Sequence, residues 1–181
     1  SEGFCGTVSV DQWAGVRWRD VTPTDSVLVL FRDDLRVADN PALHAAVSSG
    51  NTVTALFVLD EVSPGIRPLG GASRWWLHES LQSLRSDLAE LKIPLVLRRG
   101  PMESVVSHVA TECVATAVLW NRRYGRAERA VDSRMKTQLR GRGIRAESFA
   151  GSLLFEPWTI RTGAGTSFSV FTPFWRACLR G

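Results

Sequence analysis

Between residues 27 and 149, short apolar runs alternate with longer stretches whose apolar positions recur every three or four residues. The runs are Val27–Phe31, Thr52–Leu59, Leu95–Leu97, Ala117–Trp120 and Arg145–Phe149. Most are continuous rather than alternating with polar residues, as in strands of a parallel sheet covered on both faces. The stretches between them read as helices. Pro41–Ser49 has Asn40 as N-cap, proline at the first helical position and Gly50 as its stop. Ser73–Leu91 places Leu77, Leu81, Leu84, Leu88 and Leu91 on one stripe, predicted to lie on the sheet, and Pro94 ends its reach. Met102–Cys113 carries Val105, Val106, Val109 and Ala110 on one face. Ala127–Arg140 carries Ala130, Val131, Met135 and Leu139 and is stopped by Gly141 and Gly143. The order β-α-β-α-β-α-β-α-β predicts an α/β fold. It is a doubly wound, Rossmann-like five-stranded parallel sheet of order 3-2-1-4-5 with helices on both faces.

The flanks depart from this pattern. Residues 1–26 show no period, carry Phe4, Trp13 and Trp18 singly, and read as an N-terminal extension. Residues 27–155 form the α/β domain. Residues 156–181 read as an aromatic-rich linker in which Pro157, Gly163 and Gly165 break regularity, while aromatics accumulate from Phe155 to Trp175. The connection from Leu59 to Ser73, rich in Pro and Gly, is a surface loop. The chain opens on Ser1 rather than Met, as expected of a processed chain or an excised domain.

Composition narrows the class. An apolar fraction of 44% and a charged fraction of 22% are ordinary for a globular protein. No apolar run approaches the ~18 residues of a membrane span, and no basic segment leads an apolar one at the start. A cytoplasmic protein with no membrane partner is the expectation. The net charge of +4, carried almost wholly by arginine, permits phosphate contacts and equally describes a generic soluble surface. Cys5, Cys113 and Cys178 are widely spaced and read as reduced thiols. His44, His78 and His108 fall on three different predicted helices without ligand spacing, so no metal site is expected. There is no GxGxxG after the first strand, no P-loop and no GxSxG elbow, and no catalytic residue is assigned.

The predicted winding reverses between the first and fourth strands, where a crevice opens at their carboxyl ends. Phe31-Arg32-Asp33-Asp34-Leu35-Arg36 and Trp120-Asn121-Arg122-Arg123-Tyr124-Gly125 would meet there. Together they suit a flat, hydrogen-bonding, anionic ligand, with arginine forks for its charge. The cofactor-binding candidates on the first segment are Phe31, Arg32, Asp34, Leu35, Arg36, Asp39 and Asn40. Those on the second are Trp120, Asn121, Arg122, Tyr124 and Glu128. Structural roles compete. Arg32 and Arg36 could pair with Asp33, Asp34 or Asp39, Trp120 could be core, and Glu128 could serve the helix dipole.

The run Leu30–Pro41 resembles the opening motif of the DNA photolyase/cryptochrome family. The resemblance extends from Val27 to Leu179 and covers that family's N-terminal α/β domain. It is carried further by Gly71-Ala72-Ser73-Arg74-Trp75-Trp76-Leu77, by Ile93-Pro94-Leu95 with Arg98-Arg99-Gly100, by Trp120–Tyr124 through Glu128-Arg129 to Asp132, and by Val170–Trp175. The resemblance implies an antenna chromophore held in this domain: methenyltetrahydrofolate, 8-hydroxy-deazaflavin or FMN. A separate helical domain, absent here, would bind FAD and damaged DNA and split pyrimidine dimers as a carbon–carbon lyase. This chain alone would then not repair DNA. Glu128 matches the glutamate that contacts the folate ring in folate-type members, whereas their neighbouring asparagine is Ala127 here. The arginine-rich stretch Asn121–Arg126 suits a deazaflavin or flavin as well. A nucleotide-binding module, a cryptochrome-type signalling module and a structural or interaction domain remain the alternatives.

Overall fold

The computed structural model describes residues 25–180. The expectations for Phe4, Cys5, Trp13 and Trp18 lie outside the described residues. Five strands, β1 (Ser26–Phe31), β2 (Thr52–Leu59), β3 (Leu95–Arg99), β4 (Ala115–Asn121) and β5 (Arg145–Phe149), form one all-parallel sheet in the order β3-β2-β1-β4-β5. This is the expected fold class and strand order. The crossovers carry α1 (Pro41–Ser48), α2 (Gly71–Glu90), α3 (Met102–Glu112) and α4 (Arg126–Gly141).

Each inner strand feeds two cores. Val27, Val29 and Phe31 of β1 and Leu119 of β4 point to the α1/α2 face. Leu28, Leu30, Val118 and Trp120 point to the α3/α4 face. Both sets are buried, which explains why these strands read as unbroken apolar runs. Asn40 caps α1 by accepting from the Leu43 N–H at 3.1 Å, and Gly50 ends the turn at φ +73°, a conformation that favours glycine.

Two apolar stripes are narrower than the sequence suggests. On α2, Leu84 and Leu88 are fully buried, Leu77 and Leu81 only partly, and Leu91 is half exposed. A 20-residue helix is about 30 Å long, whereas the five residues of edge strand β3 span about 17 Å. The first turns of α2 therefore overhang the carboxyl ends of the strands. On α4, Val131, Met135 and Leu139 are buried, but Ala130 faces solvent.

The described residues fall into two compact units, the second beginning at Ser152. The second unit contains an unexpected helix, α5 (Phe171–Cys178). Pro173 sits in its first turn, where a missing N–H is harmless. Proline and aromatics of modest helix propensity hid the period. Within this unit Phe171 stacks on Trp175 with ring centroids 6.3 Å apart, and Phe168 meets Phe174 edge-on at 6.2 Å. Among the described residues no helix is long and apolar enough to cross a membrane.

Truncating Leu84 to Ala should cost about 2–5 kcal/mol in urea denaturation, because its whole side chain is enclosed. Leu91→Ala should cost under about 1 kcal/mol. Equal costs would contradict the narrow buried stripe.

Candidate functional site

The loops after β1 and β4 meet through one amide. Asn121, the last residue of β4, is buried, and its side chain is fully used. Its Nδ2 donates to Asp34 Oδ2 at 2.6 Å and to Asn40 Oδ1 at 2.8 Å. Its Oδ1 accepts from the Ala42 N–H at 3.1 Å. Asp34 Oδ1 accepts from the Arg32 N–H at 2.9 Å, and Asn40 Nδ2 donates to the Arg36 carbonyl at 3.0 Å. Gly151 allows this close approach, since a Cβ there would lie 2.7 Å from Asn121 Cγ. Arg36 Nη2 donates to the Gly151 carbonyl at 2.9 Å.

A buried ion pair adjoins this network. Arg32, whose side chain is 2% exposed, donates from Nη1 to Asp132 Oδ1 and from Nη2 to the Asn121 carbonyl. Asp132 Oδ2 accepts from the Trp120 indole N–H at 3.2 Å. Arg123 lies 3.8 Å from the same carboxylate. Burial first, and then the like charge of Arg32, lower the Arg123 pKa from the usual arginine value. The Nε atoms of Arg32 and Arg123 are buried without a protein acceptor among the described residues.

The strip directly between the two loops is thus filled with side chains, and the open space lies beside it. A cavity of about 590 Å³ spans the carboxyl ends of β1 and β2 beneath the overhang of α2. Leu35, Phe57, Leu77, Met102 and the exposed Trp76 give it apolar walls. Arg36, Arg123 and Glu128 supply charge, and Ser73 and Ser80 supply hydroxyls. The loop from β2 to α2 closes one side. Its Gly65, at φ +82°, passes so near α4 that a Cβ there would lie 3.0 Å from the Ala127 Cβ. Asp60 anchors that loop by accepting from the Val62, Ser63 and Met102 N–H groups at 3.1, 2.9 and 3.0 Å. Burial opposes the Asp60 charge, but hydrogen bonds from Ser63, Met102 and Val62 outweigh it and hold the carboxyl below the ordinary aspartate range. Glu61 secures the outer edge through Arg74 at 2.7 Å and Arg99 at 3.1 Å.

Of the twelve candidates from the sequence, Arg32, Leu35, Arg36 and Glu128 line this cavity. Phe31 and Trp120 are fully buried core residues. Asp34, Asn40 and Asn121 belong to the loop network, while Asp39 accepts from Arg36 on the surface at 3.4 Å. Arg122 donates to the Ser148 carbonyl at 2.5 Å. Tyr124 lines a separate shallow basin with Arg126 and Arg129. Phe57, Trp76, Leu77, Ser73 and Arg123 went unnamed as candidates. Trp76 carried the one usable signal, an adjacent tryptophan pair at a helix start after a long Pro/Gly loop.

The family model described as DNA photolyase matches residues 27–181. The chain belongs to the DNA photolyase family. It is 44% identical over 154 residues to the deoxyribodipyrimidine photo-lyase of Agrobacterium fabrum, covering 85% of this chain and 32% of that protein. It is 42% identical over 154 residues to Cryptochrome-1 of Arabidopsis thaliana, covering 84% and 22% respectively. The crystal structure of a bacterial class III photolyase from Agrobacterium tumefaciens superposes with a TM-score of 0.81 at 40% identity, covering 90% of this chain and 33% of that one. The chain therefore corresponds to the family's N-terminal domain and spans about a third or less of these relatives' length.

Asn121→Asp should destabilise the fold by about 2–4 kcal/mol, because a carboxylate would face Asp34 and the Asn40 carbonyl oxygen without donors. Thermal or urea unfolding reads this directly. Asp60 gives a second prediction. Its folded pKa lies below its unfolded one, so its contribution is complete above about pH 4 and is lost as pH falls through the folded value. Asp60→Asn should therefore lower the urea midpoint at pH 7, with the gap to the parent shrinking below about pH 4.

Proposed function

We propose that this chain is the antenna domain of a light-dependent DNA-repair photolyase, and that its cavity beneath α2 holds the pigment. The supporting observation is that cavity. Its volume falls within the ~300–1,000 Å³ of small-molecule sites, and its walls are apolar with a few charged groups. Trp76 and Phe57 offer ring faces to a planar heterocycle. Glu128 offers a carboxylate to ring N–H groups, and the Arg123 guanidinium lines the same cavity as a donor to ring oxygens. A pterin, deazaflavin or isoalloxazine ring has both edges. The candidates are accordingly methenyltetrahydrofolate, 8-hydroxy-deazaflavin and FMN. When bound, the pigment would absorb light and pass excitation to FAD. That FAD, and the damaged DNA, would be held by a helical domain corresponding to the remaining two-thirds of the relatives. The chain's own residues stack the ring, fix its edge and exclude water, and no step of dimer splitting is assigned to them. A cytoplasmic setting suits this role.

Arabidopsis Cryptochrome-1 is nearly as similar to this chain as the Agrobacterium photo-lyase. The same cavity would serve a signalling flavoprotein equally well, since its chemistry concerns the pigment alone.

Titrating the purified chain with each pigment should quench tryptophan fluorescence, with at least one of the three binding at micromolar concentration or tighter. Trp76→Ala should weaken that binding about tenfold or more, the usual worth of one aromatic stack. Absence of binding by all three would overturn the reading.

A further inference from the structure

Helix α4 separates its charges by face. Both of its acidic residues turn inward, Asp132 to Arg32 and Arg123, and Glu128 to the pigment cavity. Four of its basic residues lie on a neighbouring arc. Arg126, Arg129, Lys136 and Arg140 recur at helical spacing, with Ser133 and Thr137 among them, on an arc of about 100°. Arg126, Arg129 and Arg140 are exposed and Lys136 is partly so. None of the four has a carboxylate within ion-pair distance among the described residues, whereas Arg134, on a different arc, pairs with Glu103 at 2.7 Å. Two of the four also reach the sheet: Lys136 Nζ donates to Ser148 Oγ at 3.0 Å and lies 5.4 Å from the Trp120 ring centroid, and Arg140 Nη2 donates to the Ala146 carbonyl at 3.2 Å. Burial, then Arg140 and Arg122, lower the Lys136 pKa, and Asp132 and Glu147 only partly offset them.

We propose that this face of α4 is a docking track for the phosphate backbone of nucleic acid. Three features select that partner. The cations extend about 21 Å along the helix in steps of about 4.5–10 Å, a spacing that successive phosphates can meet. Serine and threonine hydroxyls, the other common phosphate donors, lie on the same arc. The arc carries no large apolar side chain, which the centre of a protein–protein interface would need. At the head of the track, Arg126 and Arg129 flank an open basin of about 380 Å³ lined also by Tyr124 and Ala130, wide enough for a phosphate group. The track is separate from the pigment cavity, and its test is independent of pigment binding.

The test is fluorescence anisotropy of a labelled 20-base-pair duplex titrated with the purified chain at 50–200 mM KCl. With about three phosphates engaged, affinity should fall about 50-fold over that range, a log–log slope near −3. The double variant Arg126→Gln/Arg129→Gln should bind about tenfold or more weakly at 50 mM and lose about two units of slope, with unchanged circular dichroism. Arg134→Gln should bind like the parent. No binding at about 100 μM protein in 50 mM salt would overturn the proposal. So would unchanged binding by the double variant. Competition by polyglutamate as effective as that by DNA, at equal charge concentration, would reassign the face to an acidic protein and overturn it too.

Discussion

The amide of Asn121 is the constraint on which the carboxyl edge of the sheet depends. Three hydrogen bonds from one side chain join the end of β4 to the loop after β1 and to the first turn of α1. No neighbouring residue type could replace it, because the site needs two donors and one acceptor in a plane, all buried. Aspartate removes the donors, and a smaller apolar residue leaves Asp34 Oδ2 without its donor. The sheet order follows from packing, but the mutual position of the β1 and β4 loops follows from this group. The Arg32–Asp132 pair adjoins it, since Arg32 also donates to the backbone carbonyl of Asn121. A guanidinium this deeply enclosed persists only when every neighbour cooperates. Asp132 does so by accepting from Arg32 and Trp120 together.

How much of this was legible in the sequence depends on the length scale of each signal. Strand and helix order was legible because burial on both faces writes itself as unbroken apolar runs, and Asn40-Pro41 marks a helix start in two residues. The meeting of the β1 and β4 loops was legible too, since winding order brings them together whatever their side chains do. The location of the open space was not. Arg32, Asp34 and Asn121 look like ligand-binding groups in a list, because a buried polar network and a binding site draw on the same residue types. In the fold Asn121 bonds Asp34 and both hold Arg32, whose Nε alone stays unmatched among the described residues, at the cavity edge. The cavity depends instead on the overhang of α2, a mismatch of helix and strand lengths that periodicity does not encode. The α2 stripe misled for the same reason: five leucines at regular spacing imply one buried face, yet only Leu84 and Leu88 have sheet beneath them throughout. Helix α5 was hidden by composition, with Pro173 and four aromatic or β-branched residues in an eight-residue element.

The division of labour among arginines follows from where the acids lie. Of the four arginines lining the cavity, three have an anionic neighbour: Arg32 and Arg123 have Asp132, and Arg36 has Asp39 and the Gly151 carbonyl. That arrangement keeps the pocket close to neutral, which suits a ligand that is mostly ring. Along α4 the same acids are spent inward, so the outer face keeps its positive charge uncompensated. The segregation is set by the helix period: Glu128 and Asp132 are four residues apart and share a face, while Arg126, Arg129, Lys136 and Arg140 share the neighbouring arc.

Ala127 shows how a single small residue shapes the pocket. It lies at the start of α4, where the β2–α2 loop crosses with Gly65 almost in contact. A larger side chain at 127 would lift that loop and open the cavity toward α4. With alanine there, the loop stays down, Asp60 and Glu61 fasten its near end, and the space that remains is pushed toward Phe57 and Trp76. A pigment bound as proposed would have its ring against the α2 overhang rather than along the α4 terminus. The seat is built by the two long elements the alternating pattern treats as connections, a loop of about ten residues and the unsupported turns of the helix it leads into.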